Sequence, residues 1–106
     1  MNLDDLELDK DGFLKDISVW NEDIARLMAS TDGIELSEQH FEILHFLREF
    51  YQKHQVAPAN RPLVKAVKLE FGEDKGNSIY LMSLFPESPA KLAAKYAGLP
   101  KPANCL

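Results

Sequence analysis

The chain has 106 residues, 45% of them apolar and 27% charged, values that fit one compact domain with a buried core and exclude wholesale disorder. No apolar run approaches the ~20 residues of a membrane span. The acidic start Met1-Asn2-Leu3-Asp4-Asp5 lacks the basic and then apolar pattern of a secretory signal, so the expected location is the cytoplasm.

The single cysteine, Cys105, excludes an intramolecular disulfide and a cysteine-built zinc site. The formal charge of −5 hides an asymmetry. Residues 1–50 hold 13 acids against 4 bases, net −9, whereas residues 51–106 hold 4 acids against 8 bases, net +4. An anionic partner would meet the second half.

In chain order, Leu6-Glu7-Leu8-Asp9 and Phe13-Leu14-Lys15-Asp16 flank Lys10-Asp11-Gly12, a turn signal that predicts a β-hairpin. From about Ser18 the period changes. Trp20, Ile24, Leu27 and Met28 recur at helical spacing, and Asp32-Gly33 closes that helix. Ser37 is placed to cap a longer helix carrying Phe41, Ile43, Leu44, Phe46, Leu47, Phe50 and Tyr51. Those side chains cover more than half of its circumference, which predicts the central helix of a bundle.

Val56-Ala57-Pro58 breaks it, and Asn60 is expected to cap a third helix that buries Leu63, Val64 and Val67 and stops at Gly72. A fourth helix of about ten residues carries Ile79, Tyr80, Met82 and Phe85. A fifth starts with Ser88 as cap and Pro89 in its first turn, and Gly98 ends it in the left-handed conformation. The expected fold is mainly α: a small bundle of about five helices with an N-terminal hairpin over residues 1–98, followed by an extended C-terminal arm over 99–106.

The arm carries the strongest chemical signal. In Leu99-Pro100-Lys101-Pro102-Ala103-Asn104-Cys105-Leu106 two prolines prevent helix and favour a semi-rigid strand of about 3.1 Å per residue, long enough to hold its tip about 20–25 Å from the last helix. Cys105 sits at that tip as either an idle tail residue or a thiolate nucleophile and sulfur carrier. Lys95 and Lys101 would favour the thiolate and the terminal carboxylate would oppose it.

Other polar residues speak more softly. His40 and His54 fall within the apolar sector of the second helix and His45 outside it, which fits hydrogen-bonded core or boundary histidines. Their spacing lacks the i, i+4 pair of a helical metal site, and no metal or cofactor is expected. The carboxylates of the first half read as a solvated face. Arg61, Lys65 and Lys68 share one face of the third helix. That face suits an acidic partner protein or, as one of two successive helices, nucleic-acid phosphate.

With its C-terminal Gly98-Leu99-Pro100-Lys101-Pro102-x-x-Cys105-Leu106, the chain closely resembles the DsrC/TusE family of sulfur-relay proteins over nearly its whole length. Other matching pieces are Gly12-Phe13-Leu14, Trp20-Asn21-Glu22, Phe46-Leu47-Arg48, Ala57-Pro58, Gly76-Asn77-Ser78, Leu84-Phe85-Pro86 and Pro89-Ala90-Lys91. The resemblance implies a helical bundle with an N-terminal hairpin and a mobile arm. Family members with a second cysteine, eleven positions before the penultimate one, serve dissimilatory sulfite reductase; here that position is Ala94.

The resemblance therefore implies a TusE-type sulfurtransferase. In that reading Cys105 takes persulfide sulfur from a TusBCD-type donor and passes it to an MnmA-type thiouridylase for 2-thiolation of the wobble uridine of tRNA, with weak or indirect tRNA contact. Arg61, Lys65 and Lys101 are the expected docking residues. The alternatives are a DsrC-like sulfur-trafficking protein of sulfite reduction or sulfur oxidation, and a helical DNA-binding regulator.

Overall fold

The computed structural model describes residues 6–102. It contains five α-helices: α1 (Glu22–Ser30), α2 (Glu38–His54), α3 (Asn60–Phe71), α4 (Ser78–Leu84) and α5 (Pro89–Tyr96). A 3₁₀ turn, Ile17–Val19, precedes α1. Among the described residues no helix is long and apolar enough to cross a membrane.

At the N-terminal end one antiparallel bridge, Leu8 with Leu14, stands where a two-stranded hairpin is expected, and no ladder develops among the described residues. Two local features explain this. The Asp9 carboxylate accepts the backbone N–H groups of Asp11 and Phe13, at 2.8 and 3.0 Å, and so takes up donors that a longer ladder would use. Phe13 and Leu14 are also both buried, which breaks the in-and-out alternation of a half-buried strand.

α1 begins later than the apolar period suggests, because two polar side chains set the boundary. Asp16 accepts from the Ser18 N–H and closes the 3₁₀ turn, and Asn21 Oδ1 then caps the helix by accepting from Ile24 N at 2.9 Å. Trp20 is left between the two. Ser37 caps α2 as expected, with His40 completing a reciprocal capping box: its Nδ1 accepts from Ser37 N at 3.0 Å.

α3 starts at Asn60 itself, with Ala59 in the cap position. Asn60 is therefore not the expected cap; its Oδ1 accepts from Ala90 N at 3.2 Å and ties α3 to the start of α5. α4 is a seven-residue helix capped by Asn77, whose Oδ1 accepts from Tyr80 N at 2.8 Å. Only Leu81 of α4 is fully buried, and Ile79 and Met82 face outward.

The centre of the bundle is α5 rather than α2, since α5 packs against each of the other four helices. Its buried face is Ala90, Ala93, Ala94 and Tyr96, so methyl groups let several neighbours approach a single axis closely. Measures of apolar width favour large side chains and hide this: α2 has the broad apolar surface and α5 the short radius. The core around α5 also takes Phe13, Ile24, Met28, Leu44, Leu47, Leu63, Val67 and Phe85.

Candidate functional site

Cys105 lies outside the described residues. The structure does describe the ground from which its segment departs, the C-terminal end of α5. A helix end leaves its last carbonyls without intrahelical donors, and here every one of them is supplied. Leu99 N donates to Ala94 O at 3.0 Å and Gly98 N to Lys95 O at 3.1 Å. These two bonds form a Schellman motif with Gly98 at the left-handed position, φ +73°.

Side chains from elsewhere supply the remainder. Trp20 Nε1 donates to Tyr96 O at 2.7 Å. Arg48 Nη1 donates to Ala97 O at 2.7 Å while its Nη2 donates to Ile17 O at 3.1 Å. The guanidinium also lies over the Trp20 ring, 4.4 Å from its centroid, a stabilising cation–π contact. Partial burial holds the Arg48 pKa below its ordinary value, yet the group keeps its charge. A Cβ at residue 98 would fall 2.5 Å from Trp20 Cδ1, so the glycine serves packing as well as conformation.

Beyond the cap the chain does not leave at once. Leu99, at 1% exposure, belongs to the core, and Pro102 is buried. Both belong to the stretch 99–106 expected to form the arm, of which residues 103–106 lie outside the described residues.

The cations expected to favour the thiolate have partners. Lys101 Nζ lies 3.6 Å from Asp11 Oδ2, and Lys95 Nζ lies 3.2 Å from Asp32 Oδ2. The same Asp32 oxygen accepts from the Tyr96 hydroxyl at 2.7 Å. Burial pushes the Asp32 carboxyl up, but the hydrogen bonds of Tyr96 and Lys95 and the charges of Lys95 and Lys91 outweigh it and hold the pKa below the ordinary value. Burial, with the adjoining Asp32 carboxylate, pushes the Tyr96 phenol far up.

Arg61, Lys65 and Lys68 do share a face, on the rim of a groove of about 510 Å³ between α3, α4 and the start of α5. Its walls include Leu63, Val64, Leu81 and Met82. Lys68 reaches Glu73 at 3.6 Å. Lys101 does not line this groove, so the expected docking residues divide between two places.

The histidines also divide. His40 is buried, and its Nε2 donates to Leu84 O at 2.8 Å with Nδ1 as acceptor, which makes it a structural cross-link between α2 and the end of α4. His45 is exposed and its Nε2 lies 2.7 Å from Glu22 Oε2. His54 is exposed at the end of α2, against the Phe50 ring, rather than in the apolar sector where the helical wheel places it. Among the described residues no group of three His, Cys, Asp or Glu is placed to hold a metal ion.

Sequence reasoning misses the pairing of Trp20 with Arg48, though a signal exists. At about 100° per residue Arg48 falls between Leu44 and Phe41, inside the apolar arc of α2. A cation there implies fixed acceptors, because an unpaired buried charge is costly.

A bundle centred on α5, with its terminal carbonyls held from α2 and the Trp20 corner and with a cysteine-bearing C-terminal segment, defines a class of small helical proteins whose solved members include the NMR structure of Allochromatium vinosum DsrC. That structure superimposes with a TM-score of 0.86 at 48% identity, covering 95% of this chain and 90% of that one. The oxidised γ-subunit of the dissimilatory sulfite reductase (DsrC) of Archaeoglobus fulgidus gives 0.81 at 44%, covering 95% and 92%.

The family described as "DsrC like protein" matches residues 1–106. "Sulfurtransferase TusE homolog" of Haemophilus influenzae is 55% identical over 102 residues, 96% of this chain and 94% of the relative. "Sulfurtransferase TusE" of Escherichia coli K12 is 50% identical over the same shares. The chain belongs to the DsrC/TusE family and is most like TusE.

Proposed function

We propose that the chain is a sulfurtransferase of the relay type, with Cys105 as the residue that carries sulfur. The donor is a TusBCD-type complex and the acceptor an MnmA-type thiouridylase, which uses the sulfur for 2-thiolation of tRNA wobble uridine. The curated relatives, named sulfurtransferases at 50–55% identity, support the relay role. The observation that carries the finer reading is the lone penultimate cysteine together with Ala94 at the position of the second family cysteine. With Ala94 packed in the core, a relay through one thiol fits where an internal disulfide cannot form.

The exchange needs no added oxidant. Cys105 thiolate attacks the terminal sulfur of a donor persulfide; a new S–S bond forms, the donor's S–S bond breaks, and the donor cysteine leaves as thiolate. The acceptor's cysteine then repeats the step on Cys105 persulfide. One thiol suffices, because each partner brings its own.

Arg61 and Lys65 dock the body of a partner along the groove, and Lys101 lies near the departing segment. The apolar groove walls favour a protein partner over nucleic-acid phosphate as the occupant of the basic rim.

Incubation with a cysteine desulfurase, cysteine and the donor complex, followed by intact-mass analysis, tests the assignment. A gain of one sulfur, about 32 Da, on the C-terminal peptide is expected, and Cys105→Ser abolishes it with an unchanged circular dichroism spectrum. Transfer at the normal rate by Cys105→Ser would refute the assignment.

A further inference from the structure

The turn between α4 and α5 holds a residue that the fold alone does not call for. Ser88 N donates to Pro86 O at 2.8 Å, and Glu87 between them has φ +71°. This is the i to i+2 hydrogen bond of a γ-turn in its strained, positive-φ form. Glycine adopts that conformation freely, whereas a residue with a β-carbon does so at a cost. No ion pair of the Glu87 carboxylate among the described residues offsets the cost, and the side chain is exposed.

Glu87 lines two hollows. In a cleft of about 220 Å³ it lies with Asp11, Asp32, Lys91 and Lys95, where Lys95 and Asp32 already pair. In the groove of about 510 Å³ it is the one carboxylate among the cations Arg61, Lys65 and Lys68. There Lys68 reaches Glu73, while Arg61 and Lys65 have no ion-pair partner among the described residues. The groove thus joins an apolar floor to charge of two signs, with cations on α3 and an anion at the α4–α5 turn.

We propose that Glu87 determines the specificity of this groove, whose occupant is an amphipathic helix of a partner protein. That helix carries acids along the edge facing α3 and a cation on the edge facing the α4–α5 turn. The proposal deepens the docking reading above and rests on it. Arg61, Lys65 and Lys68 stand at i, i+4 and i+7, and a second helix laid along α3 repeats its side chains at the same pitch of about 5.4 Å. Same-side residues of an extended strand recur at about 6.7 Å and drift out of step with that row. Apolar anchors at helical spacing fill the floor. A uniform polyanion, such as an RNA strand, meets Glu87 as a repulsion, so the carboxylate selects against it.

The test uses the full-length chain and two labelled synthetic peptides of about 15 residues, long enough to form helix. Both carry a leucine stripe with glutamates on one edge; the other edge bears arginine in the first peptide and glutamine in the second. In fluorescence anisotropy the wild-type chain binds the arginine peptide about threefold more tightly, the size expected of an exposed ion pair, and the difference shrinks at high salt. Glu87→Lys reverses the preference. Glu87→Gly removes it while the urea midpoint falls no lower than that of the wild-type chain, because glycine relieves the turn. Arg61→Glu combined with Lys65→Glu weakens both peptides.

Failure of the wild-type chain to bind either peptide overturns the proposal, as does equal affinity for the two. A preference that survives Glu87→Gly overturns the role of Glu87, and a lower urea midpoint in that variant makes the residue one the turn requires. Single-stranded RNA that binds the wild-type chain and displaces both peptides would assign the groove to nucleic acid. Sedimentation showing a dimer that the peptides dissociate would assign it to a second copy. Neither peptide measurement involves sulfur, so a chain that takes up none in the mass analysis above overturns the carrier reading and leaves these results to decide what the groove binds.

Discussion

The end of α5 and the groove between α3 and α4 are built on opposite terms. At the end of α5, Trp20, Arg48 and two backbone N–H groups hold the terminal carbonyls, and Leu99 is fully buried just beyond them. On α3 and α4, the helices that form the groove, Leu69, Ile79 and Met82 remain 80%, 85% and 46% exposed, and Arg61, Lys65 and Lys68 stand on the rim. One region satisfies its own polar groups and leaves little for a partner to add. The other keeps apolar surface and charge available for contact. In the proposed relay, partners would be recognised at the second region.

The contrast breaks most sharply at Leu99. Leu99→Ala empties a fully buried site and is expected to cost about 2–5 kcal/mol, read as a lower urea midpoint with an unchanged slope. A loss below about 0.5 kcal/mol, the range of surface substitutions, would mean that residue 99 belongs to a free arm after all.

Tyr96→Phe acts on the same region with a pH signature. Burial and the Asp32 carboxylate raise the phenol's pKa in the folded chain, so the native state binds that proton more tightly than the unfolded one. The resulting stability is complete below the unfolded tyrosine pKa, about 10, and is lost as pH rises beyond it. Removing the hydroxyl costs about 1.5–3 kcal/mol at neutral pH, the range for a hydrogen bond to a charged group. It also flattens the fall of the urea midpoint above about pH 10 relative to the wild-type chain. Equal alkaline slopes in the two proteins would show that the Asp32 contact does not govern Tyr96.

The smallest stability effect belongs to the groove. Arg61→Glu combined with Lys65→Glu changes unfolding free energy by no more than about 0.5 kcal/mol, because both side chains are exposed. It weakens binding of an acidic partner about tenfold or more, with the larger loss at low salt. Titration of each partner at two salt concentrations checks this. Unchanged affinity for both would remove Arg61 and Lys65 from the docking assignment.

Local chemistry made much of this architecture legible. Ser37 as the cap of α2, Gly72 as the end of α3, Pro89 in the first turn of α5 and Gly98 beyond its end each follow from a side chain acting on backbone groups a few residues away. The failures share a different origin. Asn60 looks like a cap but bonds across to Ala90, and His54 sits on the apolar arc but is exposed at the last residue of α2. The alternation around Gly12 suggests strands, yet Phe13 and Leu14 turn inward together.

The sequence by itself determined the helical class, most helix ends, the lone thiol near the C-terminus and the shared face of Arg61, Lys65 and Lys68, because these depend on residue identity and on spacings within a turn or two. Tertiary structure alone decided that the alanine-faced α5 is the hub, that Leu99 belongs to the core, and that Trp20 and Arg48 converge on carbonyls 76 and 49 residues away. Long-range convergence depends on how closely helix axes approach and on which polar atoms remain unsatisfied after packing. Neither quantity exists until the elements have met.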